Sequence, residues 1–330
     1  MTVAATRLRG TGGRCARLSR VRDPPTHPDR APTLAEMVRA QTGMAWSRAR
    51  RLCEEGRVLV DGVRCTDPAT RLAPGAAVAV DERAQRLRTG PLVATAIVYV
   101  DRDVVVLDKP PGMLSVADTP GNKATLADYA RTLLRQSGAG GVDVKLGVVH
   151  RLDRETSGLM AFARTAHAQR ALAAQFRAHT VERLYHAIVH GAVAAQRIES
   201  SLVLDRGDGL RGSHERRAHA ARETPREARR AVTHLRPLVA LTGATLVECR
   251  LETGRQHQIR IHLAELGHPL LGERVYIRDH RGPVIEAPRT MLHARTLGFL
   301  HPRTGRQVTY EREPPEDFRE QVDALRLRSG

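Results

Sequence analysis

The chain has 330 residues, 41% of them hydrophobic, which is long enough for two or three domains and apolar enough to bury a real core. Lys and Arg number 53 against 36 Asp and Glu, a formal charge of +17 that suits nucleic acid better than an acidic small molecule. The four cysteines form no CxxC pair, no run reaches the roughly 18 apolar residues of a membrane helix, and the Arg-rich start lacks the apolar stretch of a secretory signal, so a cysteine-bound zinc, a membrane span and an exported chain give way to a cytoplasmic protein with reduced thiols.

Residues 1–30 are polar with scattered Gly and Pro, and are expected to form a flexible basic tail. Residues 31–81 form a compact module. Leu34, Met37, Val38 and Gln41 follow helical spacing. A second helix runs from an N-cap at Ser47 to a stop at Gly56, with Arg48, Arg50 and Arg51 on its exposed face. VLVDGVRC gives two strands around an Asp61-Gly62 turn, and a strand from Val78 to Val80 follows the Pro74-Gly75 turn. Two helices and a small hairpin with clustered arginines resemble the RNA-binding domain named after ribosomal small-subunit protein S4. Residues 82–95 read as a linker.

A second pattern begins at residue 96. IVYVDRDVVVLDKPPGML gives two strands around Asp101-Arg102-Asp103 and then a Pro-Pro-Gly turn. VVHRLDRETSGLM places a charged turn between two apolar strands, with one carboxylate, Asp153, between Arg151 and Arg154. Thr165 caps a helix through His179, with Leu172 and Phe176 on one face. LYHAIVHG is a strand ending at Gly191, and 205–230 is a highly charged surface excursion. ATLVECRL alternates, with Val247, Cys249 and Leu251 inward. RQHQIRIHLAELG takes helical spacing, with Ile259, Leu263 and Leu266 inward and Gly267 as the stop. Strands and helices mix without a βαβ rhythm, so the fold class is α+β around a mainly antiparallel sheet. This domain runs from 96 to 320, with 321–330 as a C-terminal tail.

Familiar catalytic signatures fail. There is no P-loop, and HRLD has neither the Gly-rich loop nor the DFG that would make it a kinase loop. His262 and His268 are six apart rather than about one helical turn, so no metal site is expected. Asp153 and Glu155 are neighbours on a turn and point apart, unlike a glycosidase pair. What remains is one aspartate among arginines. From the residues alone a structural Arg–Asp turn is favoured over a nucleophile.

The ordered motifs change that balance. HRLDRETSG at 150–158 resembles the signature of the RluA family of pseudouridine synthases. DKPPGML (108–114), RLYHAIVHG (183–191), LETGRQHQIRIHLAELGHPLLGERVY (251–276) and LHARTLGFLHPRTG (292–305) match further family segments in the family's order. Arg183 stands where the family commonly has lysine, so its charge is kept. The resemblance implies a pseudouridine synthase fold, a mixed sheet with flanking helices and a central cleft, that needs no cofactor or metal. It implies Asp153 as the nucleophile on the target uridine, Tyr185 as the aromatic partner of the uracil that helps with its C5 proton, and Arg260 as the partner that orients Asp153. Arg151 would hold the backbone or fill the space the base leaves, Leu263 would pack under the base, and Arg255 would bind substrate. His150 is a weaker candidate for a base, more simply explained by a local hydrogen bond. Lys109 either touches phosphate or braces the Pro-Pro turn. Arg48, Arg50 and Arg51 would bind phosphate. The expected partner is RNA, most simply large-subunit ribosomal RNA, bound by a monomer. The alternatives are a transfer-RNA target, a non-catalytic ribosome-assembly protein, or a glycosidic hydrolase that would release free uracil.

Overall fold

The computed structural model describes residues 31–66, 68–72, 74–81, 94–117, 125–137, 145–206, 210–216 and 226–327. The expected tail 1–30 and nearly all of the linker lie outside the described residues. The chain divides into two compact units, Met1–Leu87 and Arg88–Gly330.

In the first unit, helix α1 (Leu34–Thr42) starts on a capping box. The Thr33 hydroxyl accepts the Glu36 N–H at 3.2 Å, and the Glu36 carboxylate accepts the Thr33 N–H at 2.6 Å. Helix α2 (Trp46–Glu54) begins after Ala45 rather than at the expected Ser47. The N–H groups of Arg48 and Ala49 both donate to the Ala45 carbonyl, so the first turn closes earlier. Strands β1 (Val58–Val60) and β2 (Val63–Arg64) join through Asp61-Gly62, whose φ values of 51° and 80° suit a tight hairpin turn. Strand β3 (Val78–Val80) pairs antiparallel with the other edge of β1. Leu34, Val38, Leu52, Val58 and Leu72 form the core of this unit.

The second unit is built on strands β4 (Ile97–Val100), β5 (Val104–Lys109), β6 (Gly147–Val148), β7 (Ser157–Ala163), β8 (Glu182–His190), β9 (Gln196–Val203), β10 (Gly212–Ser213), β11 (Arg229–Leu241), β12 (Ala244–Leu251), β13 (Leu292–Leu300) and β14 (Gln307–Glu311). Helices α3 (Leu126–Gln136), α4 (Ala166–Arg177), α5 (Gln258–Glu265) and α6 (Glu316–Leu327) flank them. The sheet order is β10-β9-β11-β12-β8-β13-β7-β5-β4, with β6 on β7 and β14 on β13. Among the described strands every pairing is antiparallel except β13 with β7, as the mainly antiparallel expectation requires.

That parallel contact is short. His293 faces Ser157 and Ala294 faces Gly158, and then the two strands part. β6 takes the far end of β7 at Phe162 and Ala163, while β14 pairs with β13 from Thr296 to Leu300. The sheet therefore forks, and the segment carrying Asp153 runs between β6 and β7 at the fork. β7 is buried at all seven positions, the pattern of a strand covered on both faces. Phe162, Leu134, Ile259 and Leu263 pack in one cluster, Leu159, Leu172 and Phe299 in a second, and Ile188, Met291 and Phe318 in a third.

Three expectations change. Residues 321–327 are not a tail but the end of α6, which buries Phe318, Val322 and Leu325 at helical spacing. Val148 is 42% exposed, because β6 is only two residues long and lies at an edge. Part of the excursion 205–230 packs as structure. Gly212 and Ser213 form β10, and the Ser213 N–H donates to Glu265 at 2.8 Å.

Candidate active site

The Asp153 loop is held by its own backbone. The Ser115 hydroxyl donates to the Leu152 carbonyl at 2.7 Å and accepts the Leu152 N–H at 3.0 Å. Asp153 carbonyl accepts the Thr156 N–H at 3.2 Å, Arg154 carbonyl the Lys109 ammonium at 2.8 Å, and Glu155 carbonyl the Arg289 guanidinium at 3.0 Å. Four successive carbonyls are satisfied, so the loop is a rigid platform and its central carboxylate is free to face outward.

The Asp153 side chain is 20% exposed. It looks into a small open cavity that Arg151, Tyr185, Arg255, His257 and Arg260 share with the apolar Leu251, Ile259 and Leu292. Arg260 Nη1 stands 3.7 Å from one carboxylate oxygen and His257 Nε2 stands 3.8 Å from the other. Both distances exceed a hydrogen bond; the Arg260 contact is one of charge, and the His257 contact is so only when its ring is protonated. Arg260 makes its short bonds to Glu273, at 2.7 and 2.8 Å. Burial alone would push the Glu273 carboxyl up. Arg260 and the N–H groups of Val275 and Tyr276 outweigh it and hold the group below the usual carboxylate range.

Helix α5 delivers Arg260 from a shaped start. His257, its N-cap, adopts the left-handed conformation at φ 60° and meets the Tyr276 hydroxyl through Nδ1 at 2.8 Å. Gln258 makes four side-chain hydrogen bonds, accepting from Thr253 and the Arg255 N–H and donating to Val232 and Thr233, which ties this start to β11. Tyr185 stands on β8 and is 8% exposed. Burial pushes its hydroxyl up, Arg183 draws it back and Asp153 adds to the rise, so the ring meets the cavity as a neutral phenol. A second surface cavity, between Arg295, Glu311, Arg312 and Glu313, is lined by charges already paired: Arg295 with both glutamates and Arg312 with Asp108.

The geometry agrees with what similar proteins are. The RNA pseudouridylate synthase family matches residues 103–265, and an S4 domain matches residues 37–78. A ribosomal large subunit pseudouridine synthase D from Zymomonas mobilis is 40% identical over 237 residues, 67% of this chain and 70% of that protein. An uncharacterized RNA pseudouridine synthase from Bacillus subtilis, YlyB, is 36% identical over 87% of this chain and 92% of its own length. The chain belongs to the RNA pseudouridine synthases. In fold it is similar to human RNA pseudouridylate synthase domain containing 4, with a TM-score of 0.57 and 23% identity over 70% of this chain and 93% of that one.

Within this pseudouridine synthase, Asp153, Tyr185, Arg260, Arg151 and Arg255 meet at one cavity. Three expected substrate ligands do not. Lys109 is fully buried, and its ammonium donates to the carbonyls of Pro110, Met113 and Arg154, so it braces the turn and the Asp153 loop and reaches no phosphate. Burial pushes this ammonium down to about 7. His150 stacks on Phe176, and its Nε2 accepts the Ala161 N–H at 3.0 Å, so burial leaves the ring neutral and its basic nitrogen occupied, with a pKa of about 3. Leu263 is completely buried in the core, and Ile259, Leu251 and Leu292 take the apolar wall expected of it. Arg48, Arg50 and Arg51 are exposed on α2, where Arg50 and Arg51 pair with Glu54 and Glu55 one turn on. His257, Gln258, Glu273 and Tyr276 were not singled out by the sequence reading, although all four lie inside the segment 251–276. Among the described residues no cluster of three His, Cys, Asp or Glu could hold a metal ion, and no helix is long and apolar enough to cross a membrane.

Proposed function

We propose that this isomerase acts on uridine in large-subunit ribosomal RNA, with Asp153 as its nucleophile. The carrying observation is the Asp153 carboxylate, aimed into the cavity from a clamped loop, with Arg260 and His257 on either side and Tyr185 on the wall. A base inside a folded RNA cannot reach such a recessed group, so the target uridine leaves its stack to enter. Attack by Asp153 frees the uracil from the ribose. The C1′–N1 bond breaks as an Asp153 oxygen bonds to C1′, that C–O bond breaks in turn as C1′–C5 forms, and the C5 proton is replaced by one on N1, so the carboxylate is regenerated, the product is an isomer and no co-reactant is consumed. Arg260, fixed by Glu273, orients the carboxylate, and the Tyr185 ring supports the uracil face. Arg151 at the exposed rim suits the RNA backbone. The ribosomal target is supported by the relatives named for the ribosomal large subunit and by the charge of +17. The enzyme would act as a monomer in the cytoplasm, with the S4 unit adding phosphate contacts.

Tritium release from C5-labelled uridine is the test. Wild-type protein should release tritium from large-subunit ribosomal RNA prepared from cells lacking the gene, and Asp153→Asn should release none while still binding that RNA. Turnover by the Asn variant would remove Asp153 as nucleophile. Release from transfer RNA alone would overturn the ribosomal target.

A further inference from the structure

Arg183, Arg255 and Arg229 stand in a connected row, and none of them is paired with a carboxylate among the described residues. β8 places Arg183 two residues before Tyr185, so both side chains leave the same face of the strand. The Arg183 guanidinium lies along the loop after β12. Its Nη2 donates to the Glu252 carbonyl at 3.0 Å, and its Nη1 would lie 2.4 Å from any Cβ on residue 254, a place that only glycine leaves open. The next residue is Arg255, which lines the Asp153 cavity and donates through Nε to the Arg230 carbonyl at 3.1 Å. Arg229 precedes that carbonyl at the start of β11 and is exposed.

Three observations single this row out. Arg183 is 6% exposed, yet its Nε has no hydrogen-bond partner, an unmet charged donor beside a catalytic cavity. The nearby acids are occupied by other cations: Glu199 by Arg197 and Arg230, and Glu252 by His234, Arg197 and Arg230. Burial is the first cause that lowers Arg183 and Arg255; Arg255 adds to it at Arg183, against Tyr185, and Arg229 adds to it at Arg255, so like charges stand close along the row. A cluster of this kind is costly unless a ligand supplies the negative charge. Guanidinium forks match phosphate oxygens, and the row ends at the cavity a nucleotide must enter.

We propose that Arg183, Arg255 and Arg229 form a phosphate-binding track that holds the RNA backbone on one side of the uridine seated at Asp153. The track rests on the reading of that cavity as the uridine site. It gives Gly254 a purpose, since any side chain there would push the Arg183 guanidinium off the loop. It also explains how the chain can bind RNA with only 3% aromatic residues: phosphate contacts, and not stacking, supply the hold.

The salt dependence of binding to poly(U) tests this. Arg229→Gln and Arg255→Gln should each lower the magnitude of the log–log salt slope by about 0.7, the share of one phosphate contact on a single strand. Arg183→Met should do the same, and Arg183→Lys should restore the slope. Arg319→Gln, an equal loss of charge at an exposed position on α6, should leave the slope at the wild-type value. Arg229 and Arg255 are not buried, so their variants stay interpretable if Arg183→Met fails to fold. Slopes for the Arg229 and Arg255 variants that match wild type, or that match the Arg319 variant, would overturn the track. Asp153→Asn measured alongside separates the two readings: it should keep the full slope whether or not it turns over.

Discussion

Arg260 has two acids within reach, and distance ranks them. Glu273 takes its two short bonds, and Asp153 receives the remaining edge of the guanidinium at 3.7 Å. Glu273 therefore fixes the angle from which Arg260 meets the nucleophile. Its side chain has no exposure, so Glu273→Gln would leave a buried guanidinium facing a neutral amide. Removing one partner of such a pair costs about 3 kcal/mol or more. We expect urea denaturation to show that loss, and tritium release to fall with it, as Arg260 swings toward Asp153. Wild-type stability in the variant would mean that Arg260 is held by something other than Glu273. At this scale the sequence was most legible where a motif is contiguous: Asp153, Tyr185 and Arg260 each sit inside one. Glu273 was not legible, because its meaning is a contact across thirteen positions and a turn. Lys109 beside two prolines fits a phosphate ligand or a brace equally well on paper, and only its burial decides.

Elements were legible where the buried face stands out plainly in the apolar pattern. β12 alternates as read, with Val247 and Cys249 buried and Arg250 exposed. α6 went unread because its exposed acids and arginines mask the apolar stripe of Phe318, Val322 and Leu325, which becomes visible only against Ile188 and Met291. The fork was not legible at all, since two residue pairs of parallel contact leave no periodicity. Its requirement is written in one glycine. Gly158 has φ +105°, and a Cβ there would sit 2.3 Å from the Ala294 carbonyl oxygen and 2.8 Å from the Ala294 nitrogen. Gly158→Ala must therefore strain the backbone and push β7 off β13. The expected cost is about 3 kcal/mol, a Tm lower by on the order of 8 °C. Because the Asp153 loop leads into β7, single-turnover chemistry should fall further than RNA affinity. An unchanged Tm would show that the two strands separate without cost.

At the scale of the molecule, charge and the break near residue 82 announced a basic RNA-binding protein in two units, but not how much of its histidine lies in the core. Among the histidines, His262 and His293 are buried and His150 is half-buried, each as a neutral ring with committed hydrogen bonds. His293 bonds Ser157 at 3.0 Å and the Arg312 carbonyl at 2.9 Å, His262 bonds Thr233 at 2.9 Å and Ser200 at 3.0 Å, and His150 accepts from Ala161. Burial brings His262 and His293 down to about 4, and burial with Arg183 brings His150 to about 3. In the unfolded chain each ring takes its proton near pH 6.5. Below that pH the unfolded state binds protons that the folded state refuses, so acid favours unfolding. The contribution is complete above pH 6.5, declines as pH falls, and is exhausted near pH 4 for His262 and His293 and near pH 3 for His150. Each ring adds a slope of about 1.4 kcal/mol per pH unit inside its window. Lys109 titrates above this range, and Asp101, Asp103, Glu273 and Asp317, whose carboxyls are all lowered in the fold, extend the loss only below it. Urea midpoints should therefore fall steeply from pH 6.5 to pH 4, and His293→Gln should flatten that fall by the share of one ring. A midpoint that stays level between pH 6.5 and 5 would mean that these rings accept protons in place, with Ser157, Thr233 and Ala161 turning to suit them.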